Sequence, residues 1–269
     1  MSDSSNKPHQ PDLFCFVIFC CTVYLTHRLV IPALYNLAES DLLPEQFCIV
    51  GIVRKEMSED DLRQSLMEGL NKHATRPVKK EVAQKLLRCL TRLEADPSDP
   101  ASFDTLSKAF ERLETDKGTC GNRLFYLAVP PNAFSPITEQ LVRVGLLREQ
   151  HGAWRRLVVE KPFGTDLASA KSLNSKLLKI ADEHQIYRID HYLGKETVQN
   201  ILVLRFANGM FEPIWNRNHI DHIQITVDEK LAVGHRGRFY DATGTLRAMG
   251  PTHLLQLFAA VAVGPTPRL

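Results

Sequence analysis

The stretch LFCFVIFCCTVYLTHRL, residues 13–29, decides the fold of this 269-residue chain. Its first fourteen residues carry no charge, but an apolar run of this length is too short to span a bilayer comfortably. The polar residues 1–12 before it lack the positive charge of a signal peptide, and we expect them to form a disordered tail. We therefore predict a buried strand over residues 13–19 and a helix beginning near Thr26, with export or membrane anchoring as the least supported alternative.

Composition and charge argue against several classes of protein. The formal net charge is +2 with 24% charged residues, and no basic block indicates a nucleic-acid partner. The six cysteines all lie in the first half of the chain without paired metal-ligand spacing. A reducing, cytoplasmic location without a membrane partner is therefore expected.

Apolar stretches alternate with helical ones through the first two thirds of the chain. Strands are predicted at residues 13–19, 47–53, 123–129, 155–164 and 186–190. Helices are predicted from Ser58 with its capping partner Asp61, over about 80–94 and 102–115, over 136–147, and from the cap Thr165. Strands that are apolar throughout are buried on both faces of a parallel sheet, so we predict an α/β, Rossmann-like doubly wound sheet that binds ligands at the carboxyl ends of its strands.

The pattern changes after residue 190, where a second domain is predicted. Apolar and polar residues alternate from Ile223 to Val227, which predicts an antiparallel strand within residues 219–230 and the start of an α+β domain with a mainly antiparallel sheet. One strand and two helices cannot bury a sheet face, so this domain is expected to be incomplete. The predicted domains are residues 13–190 and 191–269.

Chemically reactive side chains are concentrated after two of the predicted strands. The stretch RIDHYLGKE, residues 188–196, brings acid, imidazole, phenol and amine groups together, although a solvated loop is equally compatible with it. The stretch VVEKPFG, residues 158–164, places Lys161 at a strand end, where it could hold charge over a pocket or face solvent. His219 and His222 would point to opposite faces of their predicted strand, so no metal site is expected.

Two other positions have both a functional and an ordinary interpretation. Arg54 and Lys55 follow the second predicted strand, which in dinucleotide folds approaches the adenosine ribose. A basic residue there accommodates the 2′-phosphate of NADP, whereas the ordinary interpretation is an arginine at a helix entry. His253, in RAMGPTHLLQ, is predicted at a helix start, where a lone histidine is usually structural or solvated.

Taken together, these segments resemble the glucose-6-phosphate dehydrogenase family. The matching stretches are RIDHYLGKETVQNILVLRFAN, VVEKPFGTDLASA, YLAVPPNAF, LVIPALYNL, IVGIVR and FEPIWNRNHIDHIQIT, from about residue 14 to about residue 258. The resemblance implies oxidation of the C1 hydroxyl of glucose 6-phosphate to a lactone with reduction of NADP, the entry step of the pentose phosphate pathway. It also implies a homo-oligomer. Chains of this family continue much further, so most of the dimer surface is expected to be missing here.

The same resemblance implies roles for particular residues. His253 corresponds to the family's general base, and Asp190 corresponds to the carboxylate that orients and polarises its imidazole. The residues expected to bind the sugar phosphate or the sugar hydroxyls are His191, Tyr192, Lys195, Lys161 and Glu229. The residues expected to bind NADP are Arg54, Lys161 and Thr22.

Two segments depart from the family's pattern. The family's first turn is Gly-x-x-Gly-Asp-Leu, whereas residues 20–25 here are CCTVYL. Cys20 and Val23 add Cβ atoms where phosphate approaches the backbone, and any left-handed conformation at the β-branched Val23 would be strained, so weak dinucleotide binding is predicted. Near the base, Ala248 replaces a carboxylate and Thr252 replaces an asparagine. The alternative function is therefore a truncated, catalytically impaired remnant that retains at most sugar-phosphate binding.

Overall fold

The computed structural model describes residues 12–44, 47–54, 57–118, 121–130, 133–161, 163–164, 166–228 and 237–264. The chain divides into two compact units, Met1–Ile189 and Asp190–Leu269. Within the described ranges, no helix is long and apolar enough to cross a membrane.

The first unit is built on a six-stranded, all-parallel sheet in the order β3-β2-β1-β4-β5-β6. Its strands are β1 (Cys15–Phe19), β2 (Cys48–Val53), β3 (Leu90–Glu94), β4 (Arg123–Leu127), β5 (Arg155–Glu160) and β6 (Ile186–Ile189). The chain runs outward from β1 to β3, returns to the middle, and then runs outward from β4 to β6. This is the doubly wound, Rossmann-like arrangement, and it confirms the α/β part of the predicted fold.

Both faces of this sheet are covered by helices. One face packs on α1 (Ile31–Glu39), α2 (Glu59–His73) and α3 (Lys80–Arg88), and the other packs on α4 (Pro100–Lys117), α5 (Phe134–Arg143) and α6 (Leu167–Ile180). Successive residues of β1 enter the two cores in turn, with Val17 and Phe19 in one and Phe16 and Ile18 in the other. A strand buried on both sides has no solvent-facing position, which explains why the run lacks charge.

Helix starts in the first unit follow local signals. The Ser58 side chain accepts a hydrogen bond from the Asp61 N–H at 3.0 Å, and the Asp61 carboxylate accepts one from the Ser58 N–H at 3.4 Å. This reciprocal pair confirms the predicted capping box at α2. At α6 the Asp166 carboxylate accepts a hydrogen bond from the Ser169 N–H at 2.7 Å, whereas the predicted cap, Thr165, lies outside the described residues.

One strand of the sheet, β3, cannot be recognised from the sequence pattern. The predicted helix over residues 80–94 is wrong in its second half, because α3 ends at Arg88 and β3 follows almost at once. Leu86, Leu87 and Leu90 are all buried and keep a helical spacing across this boundary, so periodicity does not mark it. Within the described sheet, β3 is an edge strand that pairs with β2 alone and is partly exposed, so it lacks the continuous apolar run of the inner strands.

The second unit is helical in its described part. It contains α7 (Glu196–Phe206), α8 (Gly237–Met249) and α9 (Leu255–Ala262), and α8 is interrupted at Gly244, whose φ is 74°. The predicted antiparallel strand is wrong over the described residues 219–228, which form neither strand nor helix. No antiparallel sheet is present among the described residues. A single alternating segment needs a partner strand for its backbone hydrogen bonds, and the described part of this unit supplies none.

A buried arginine joins the helices of the second unit. The Arg205 side chain is 2% exposed and lies 3.6 Å from a Glu212 carboxylate oxygen, and it donates to the Ala260 carbonyl at 2.9 Å. Its guanidinium carbon lies 5.2 Å from the centre of the Trp215 ring, and the Trp215 indole N–H donates to the Val261 carbonyl at 2.9 Å. These contacts hold the carboxyl end of α9 against α7.

Replacing Arg205 by alanine is expected to lower the stability of the second unit by about 3 kcal/mol, because Glu212 loses the buried cation beside it and the Ala260 carbonyl loses its donor. Amide hydrogen exchange in α9 measures this loss locally. The matched control is Arg217→Ala, which removes an exposed arginine of the same unit and should change stability by less than about 0.5 kcal/mol. Equal protection of α9 in the two variants would contradict the anchoring role of Arg205.

Candidate active site

Ligands of doubly wound sheets bind where the strand order reverses, at the carboxyl ends of the strands. In this chain that place is formed by residues 20–25 after β1 and residues 128–130 after β4. The turn at 20–25 is the segment in which glycines would let a pyrophosphate approach the backbone. Its geometry therefore decides how well the first unit can hold a dinucleotide.

The turn keeps a left-handed backbone position without the glycine that suits it. Cys20 has a φ of 57°, a region that non-glycine residues occupy at a cost of about 1–3 kcal/mol. The Val23 N–H donates to the Cys20 carbonyl at 3.1 Å and closes the turn. Val23 itself lies outside the left-handed region, so the strain expected from a β-branched residue does not arise there. Within this turn the strained position is Cys20.

Cys21 anchors the turn in the core. Its side chain is fully buried, and its N–H donates to the Ile52 carbonyl of β2 at 3.1 Å. Its sulfur lies 3.0 Å from the place that a Cβ atom on Gly51 would occupy, so the two residues fit closely. Burial raises the pKa of the Cys21 thiol to about 12, which keeps it neutral at physiological pH. Cys21 is therefore a packing residue that brings no charge to a ligand.

The helix after the turn starts irregularly. Thr26–Val30 forms a π-helical turn before α1, and the Thr26 hydroxyl oxygen is buried with no hydrogen-bond partner among the described residues. Tyr24 takes the place of the aspartate in the family's pattern, is 65% exposed, and accepts a hydrogen bond from Arg28 Nη1 at 3.1 Å. The helix start and Arg28 thus offer positive charge to a phosphate.

The turn is compatible with a dinucleotide, but it leaves less space for phosphate than the glycine-containing turn of the family. Thr22 is exposed in it, as a cofactor contact requires. The left-handed position at Cys20 preserves the turn's shape, while the side chains of Cys20 and Val23 occupy space that glycines would leave open to phosphate. The residues present therefore fit a nicotinamide dinucleotide with a weakened pyrophosphate contact.

Arg54 follows β2 and offers a cation at the same edge of the sheet. Its side chain is 59% exposed and lies 3.5 Å from a carboxylate oxygen of Asp96, which follows β3. The Ser98 backbone N–H, and then Arg54, hold the pKa of the Asp96 carboxyl below its usual range. An exposed ion pair of this kind is weak, so Arg54 can turn toward a phosphate.

Lys161 follows β5 directly after a buried polar pair. Glu160 and Tyr126 are 6% and 5% exposed, and the Tyr126 hydroxyl donates to a Glu160 carboxylate oxygen. Burial, and then this carboxylate, raise the pKa of Tyr126 above its usual range, so the phenol stays a donor. The pair ties the end of β5 to β4 just before Lys161. Sequence reasoning missed the pair, although a carboxylate at the end of an apolar strand is a signal that a donor must lie close.

In the second unit, several residues predicted for the chemistry come together around the Tyr192 ring. The Asp190 carboxylate accepts a hydrogen bond from the Tyr192 N–H at 2.9 Å. The ring centroids of Tyr192 and His253 are 4.2 Å apart, and Lys195 Nζ lies 5.0 Å from the centre of the Tyr192 ring. Carboxylate, phenol, amine and imidazole therefore share one site, while His191, their neighbour in the chain, is exposed.

His253 lies in a second irregular turn. Gly250–Leu254 forms a π-helical turn before α9, and His253 Nδ1 is 2.7 Å from the Thr252 hydroxyl oxygen. Thr252 thus keeps a hydrogen-bonding side chain where the family has asparagine. One turn further, the Gln256 amide donates to the second Asp190 carboxylate oxygen at 2.9 Å. Sequence reasoning missed Gln256, and its position three residues after His253 was the available signal.

Some predicted positions cannot join this site. Glu229 lies outside the described residues, as does the side chain of Ala248. The rings of His219 and His222 bond locally to Asn216 at 3.2 Å and to Asp221 at 2.9 Å, and the strand from which their opposite orientation was predicted is not formed. Within the described ranges, no group of three His, Cys, Asp or Glu side chains is arranged to hold a metal ion.

Two family models together match the chain from residue 17 to its last residue. Residues 17–200 match the "Glucose-6-phosphate dehydrogenase, NAD binding domain", and residues 202–269 match the "Glucose-6-phosphate dehydrogenase, C-terminal domain". The chain belongs to the glucose-6-phosphate dehydrogenase family.

Individual glucose-6-phosphate dehydrogenases match over nearly the whole chain. The chain is 45% identical over 251 residues to glucose-6-phosphate 1-dehydrogenase of Aggregatibacter actinomycetemcomitans, covering 93% of this chain and 50% of the relative. It is 43% identical over 247 residues to glucose-6-phosphate 1-dehydrogenase 2 of Mycobacterium bovis, covering 92% and 48%.

Solved structures of the family agree with the fold. A glucose-6-phosphate dehydrogenase in complex with its substrate glucose 6-phosphate superimposes with a TM-score of 0.84 at 29% identity, over 97% of this chain and 53% of that one. The Mycobacterium avium glucose-6-phosphate 1-dehydrogenase superimposes with a TM-score of 0.79 at 36% identity, over 96% and 52%. The chain thus spans about half the length of the glucose-6-phosphate dehydrogenases that it matches.

The strain at Cys20 predicts an unusual order of stabilities. Cys20→Gly should unfold with a free energy about 1 kcal/mol larger than Cys20→Ala, because only glycine adopts the left-handed conformation without cost. Both variants lose the thiol, so the difference between their free energies of unfolding reports the cost of the left-handed backbone conformation. Urea denaturation of the two variants measures it, and equal stabilities would show that the turn is unstrained.

Proposed function

We propose that this chain is an NADP-dependent glucose-6-phosphate dehydrogenase that oxidises glucose 6-phosphate to 6-phosphogluconolactone, at the entry of the pentose phosphate pathway. The observation that carries the proposal is the cluster of Asp190, Tyr192, Lys195 and His253 in a chain of this family. An imidazole can take a hydroxyl proton, and an amine can bind a phosphate dianion, so the cluster holds the groups that this reaction needs.

In the proposed reaction His253 accepts the proton of the C1 hydroxyl while a hydride leaves C1, so the sugar loses two electrons and becomes the lactone. Bound NADP supplies the acceptor for that hydride. Asp190 stabilises the imidazolium that forms, as in other acid–histidine pairs. The Tyr192 ring, 4.2 Å from the His253 ring, limits the orientations that the imidazole can adopt.

The substrate is proposed to bind through the segment that follows Asp190. Lys195 is exposed and offers a point charge to the phosphate, with the Tyr192 hydroxyl and His191 as further donors. Lys161 is proposed to reach both the sugar and the cofactor, and Glu229 to bind sugar hydroxyls.

The first unit is proposed to hold NADP through Arg54, Lys161 and Thr22. The exposed guanidinium of Arg54 at the end of β2 supports a preference for the 2′-phosphate of NADP over the free hydroxyl of NAD. We also propose a cytoplasmic location, because Cys15, Cys20 and Cys21 are free cysteines, which suits a reducing compartment.

The second candidate is a chain that binds the sugar phosphate without oxidising it. The strained Cys20 and the side chain of Val23 in the phosphate turn favour it, because they weaken the dinucleotide contact alone. The cluster around Tyr192 belongs to the other unit and does not depend on that turn.

NADPH formation from glucose 6-phosphate and NADP by the purified chain tests the first candidate. His253→Ala should lower the rate by about 10²–10⁴-fold, because the reaction loses its base. The control His219→Ala removes an exposed histidine of the same unit and should keep the parental rate. Turnover that survives in His253→Ala would contradict the assignment of the base.

A chain without turnover can be tested further at the phosphate turn. The double variant Cys20→Gly/Val23→Gly should restore NADPH formation, since glycine returns both the left-handed position and the space for phosphate. Glucose 6-phosphate binding without restored turnover would establish the second candidate.

Arg54 provides a test of cofactor choice. Arg54→Gln should weaken NADP binding about tenfold, equivalent to ~1.4 kcal/mol, and leave NAD binding unchanged, because only NADP has the 2′-phosphate. Isothermal titration of both dinucleotides measures the two affinities. The control is Arg88→Gln, an exposed arginine at the end of α3, where the chain enters the opposite, amino end of the sheet. A parallel loss for NADP and NAD would exclude a 2′-phosphate role.

A further inference from the structure

We propose that Gln256 is a positioning residue for this reaction, which holds the Asp190 carboxylate in place beside His253. The inference rests on the proposed function, in which His253 is the base and Asp190 its partner. It goes beyond that function by naming a residue that acts through Asp190.

Two different donors bind the two oxygens of Asp190. Oδ1 accepts from the Tyr192 backbone N–H at 2.9 Å, and Oδ2 accepts from the Gln256 side-chain amide at 2.9 Å. A carboxylate held at both oxygens cannot rotate about its last bond without losing a hydrogen bond. The first donor comes from the chain next to Asp190, whereas the second ties the carboxylate to α9, the helix that follows His253.

The orientation of the Gln256 amide is decided by its neighbours. A reversed amide would place its oxygen against the Asp190 oxygen, so the NH₂ group must face the carboxylate. The Gln256 carbonyl oxygen is buried with no hydrogen-bond partner among the described residues. An unpaired buried oxygen costs about 1–3 kcal/mol, so a purely structural role explains this side chain poorly.

Helix geometry links Gln256 to the base. Gln256 follows His253 by three residues, so the two side chains lie on the same side of the turn into α9. The Tyr192 ring contacts the imidazole, while its N–H holds the other oxygen of Asp190. Asp190 is therefore held between the two segments that also position His253. Donors on a carboxylate favour its ionised form, and an ionised Asp190 favours imidazolium.

The titration of His253 tests this inference directly. The imidazole pKa is measured by NMR in the full chain with labelled histidine, and its signal is assigned by its loss in His253→Ala. Gln256→Met keeps the length and packing of the side chain but removes the donor. We expect it to lower the His253 pKa by about one unit, because Asp190 becomes less acidic and less fixed. Gln199→Met is the matched control, since Gln199 donates to the Leu193 carbonyl in the same unit, and it should leave the pKa unchanged.

Other charges near the base are the same in all these variants. The described titratable and charged side chains on the packed segments are Asp190, His191, Tyr192, Lys195, Glu196, Arg205, Asp241 and Arg247. Of these, only Asp190 has a described hydrogen bond to Gln256. A double-mutant cycle with Asp190→Asn therefore tests whether Gln256 affects the His253 pKa through Asp190. If Gln256 acts through Asp190, Gln256→Met should cause no further shift in the Asp190→Asn background.

A His253 titration that is unchanged in Gln256→Met would overturn the inference, and so would shifts that add in the double variant. The measurement needs neither NADP nor turnover. Absence of turnover with these pKa shifts intact would refute the proposed function and leave the coupling of Gln256 to His253 through Asp190 standing.

Discussion

The pairing of β1 with β2 on one side and with β4 on the other is the constraint on which the first unit depends. Phe19, the last residue of β1, lies opposite Ile52 in β2 and Leu127 in β4. Since side chains alternate between faces, a slip of one residue would exchange the contents of the two cores. The register therefore places the turn after β1 level with the ends of its neighbours, where a ligand can meet residues from all three.

This constraint explains how the phosphate turn keeps its shape with cysteine and valine in it. Cys21 is tied to the Ile52 carbonyl, so the path of the chain is set by β2 as well as by the turn's own residues. A strain of about 1–3 kcal/mol at Cys20 is small beside the burial of β1, in which each large apolar side chain contributes roughly 1.5–3 kcal/mol. The fold thus tolerates a change that is expected to weaken the pyrophosphate contact, so stability and cofactor binding make different demands on this position.

The sequence predicts those parts of the fold in which burial produces a distinct pattern of apolar residues. β1 and β2 are apolar on both faces and stand out, whereas β3 at the sheet edge shares the leucine spacing of the helix before it. In the second unit, alternation between Ile223 and Val227 is not enough, because a strand exists only with a partner. The site shows the same difference. Asp190, Tyr192 and Lys195 are near neighbours in the chain, but the contact between Tyr192 and His253 depends on tertiary structure. Gln256 binds another side chain, and its signal in the sequence was its position three residues after His253.

The second unit orients its site through polar contacts more than through an apolar core. Of its described apolar side chains, Tyr192, Val198 and Val261 are buried, and its helices are joined by the buried guanidinium of Arg205. Removing one member of such a network is costly, because its partners remain buried without it. Gln256 and the Ala260 carbonyl that accepts from Arg205 lie one turn apart on α9. The carbonyl through which Arg205 anchors α9 and the amide that binds Asp190 therefore lie on the same helix, which begins two residues after His253. Because no loop separates His253 from Gln256, helix geometry sets the spacing between the proposed base and the residue that binds Asp190.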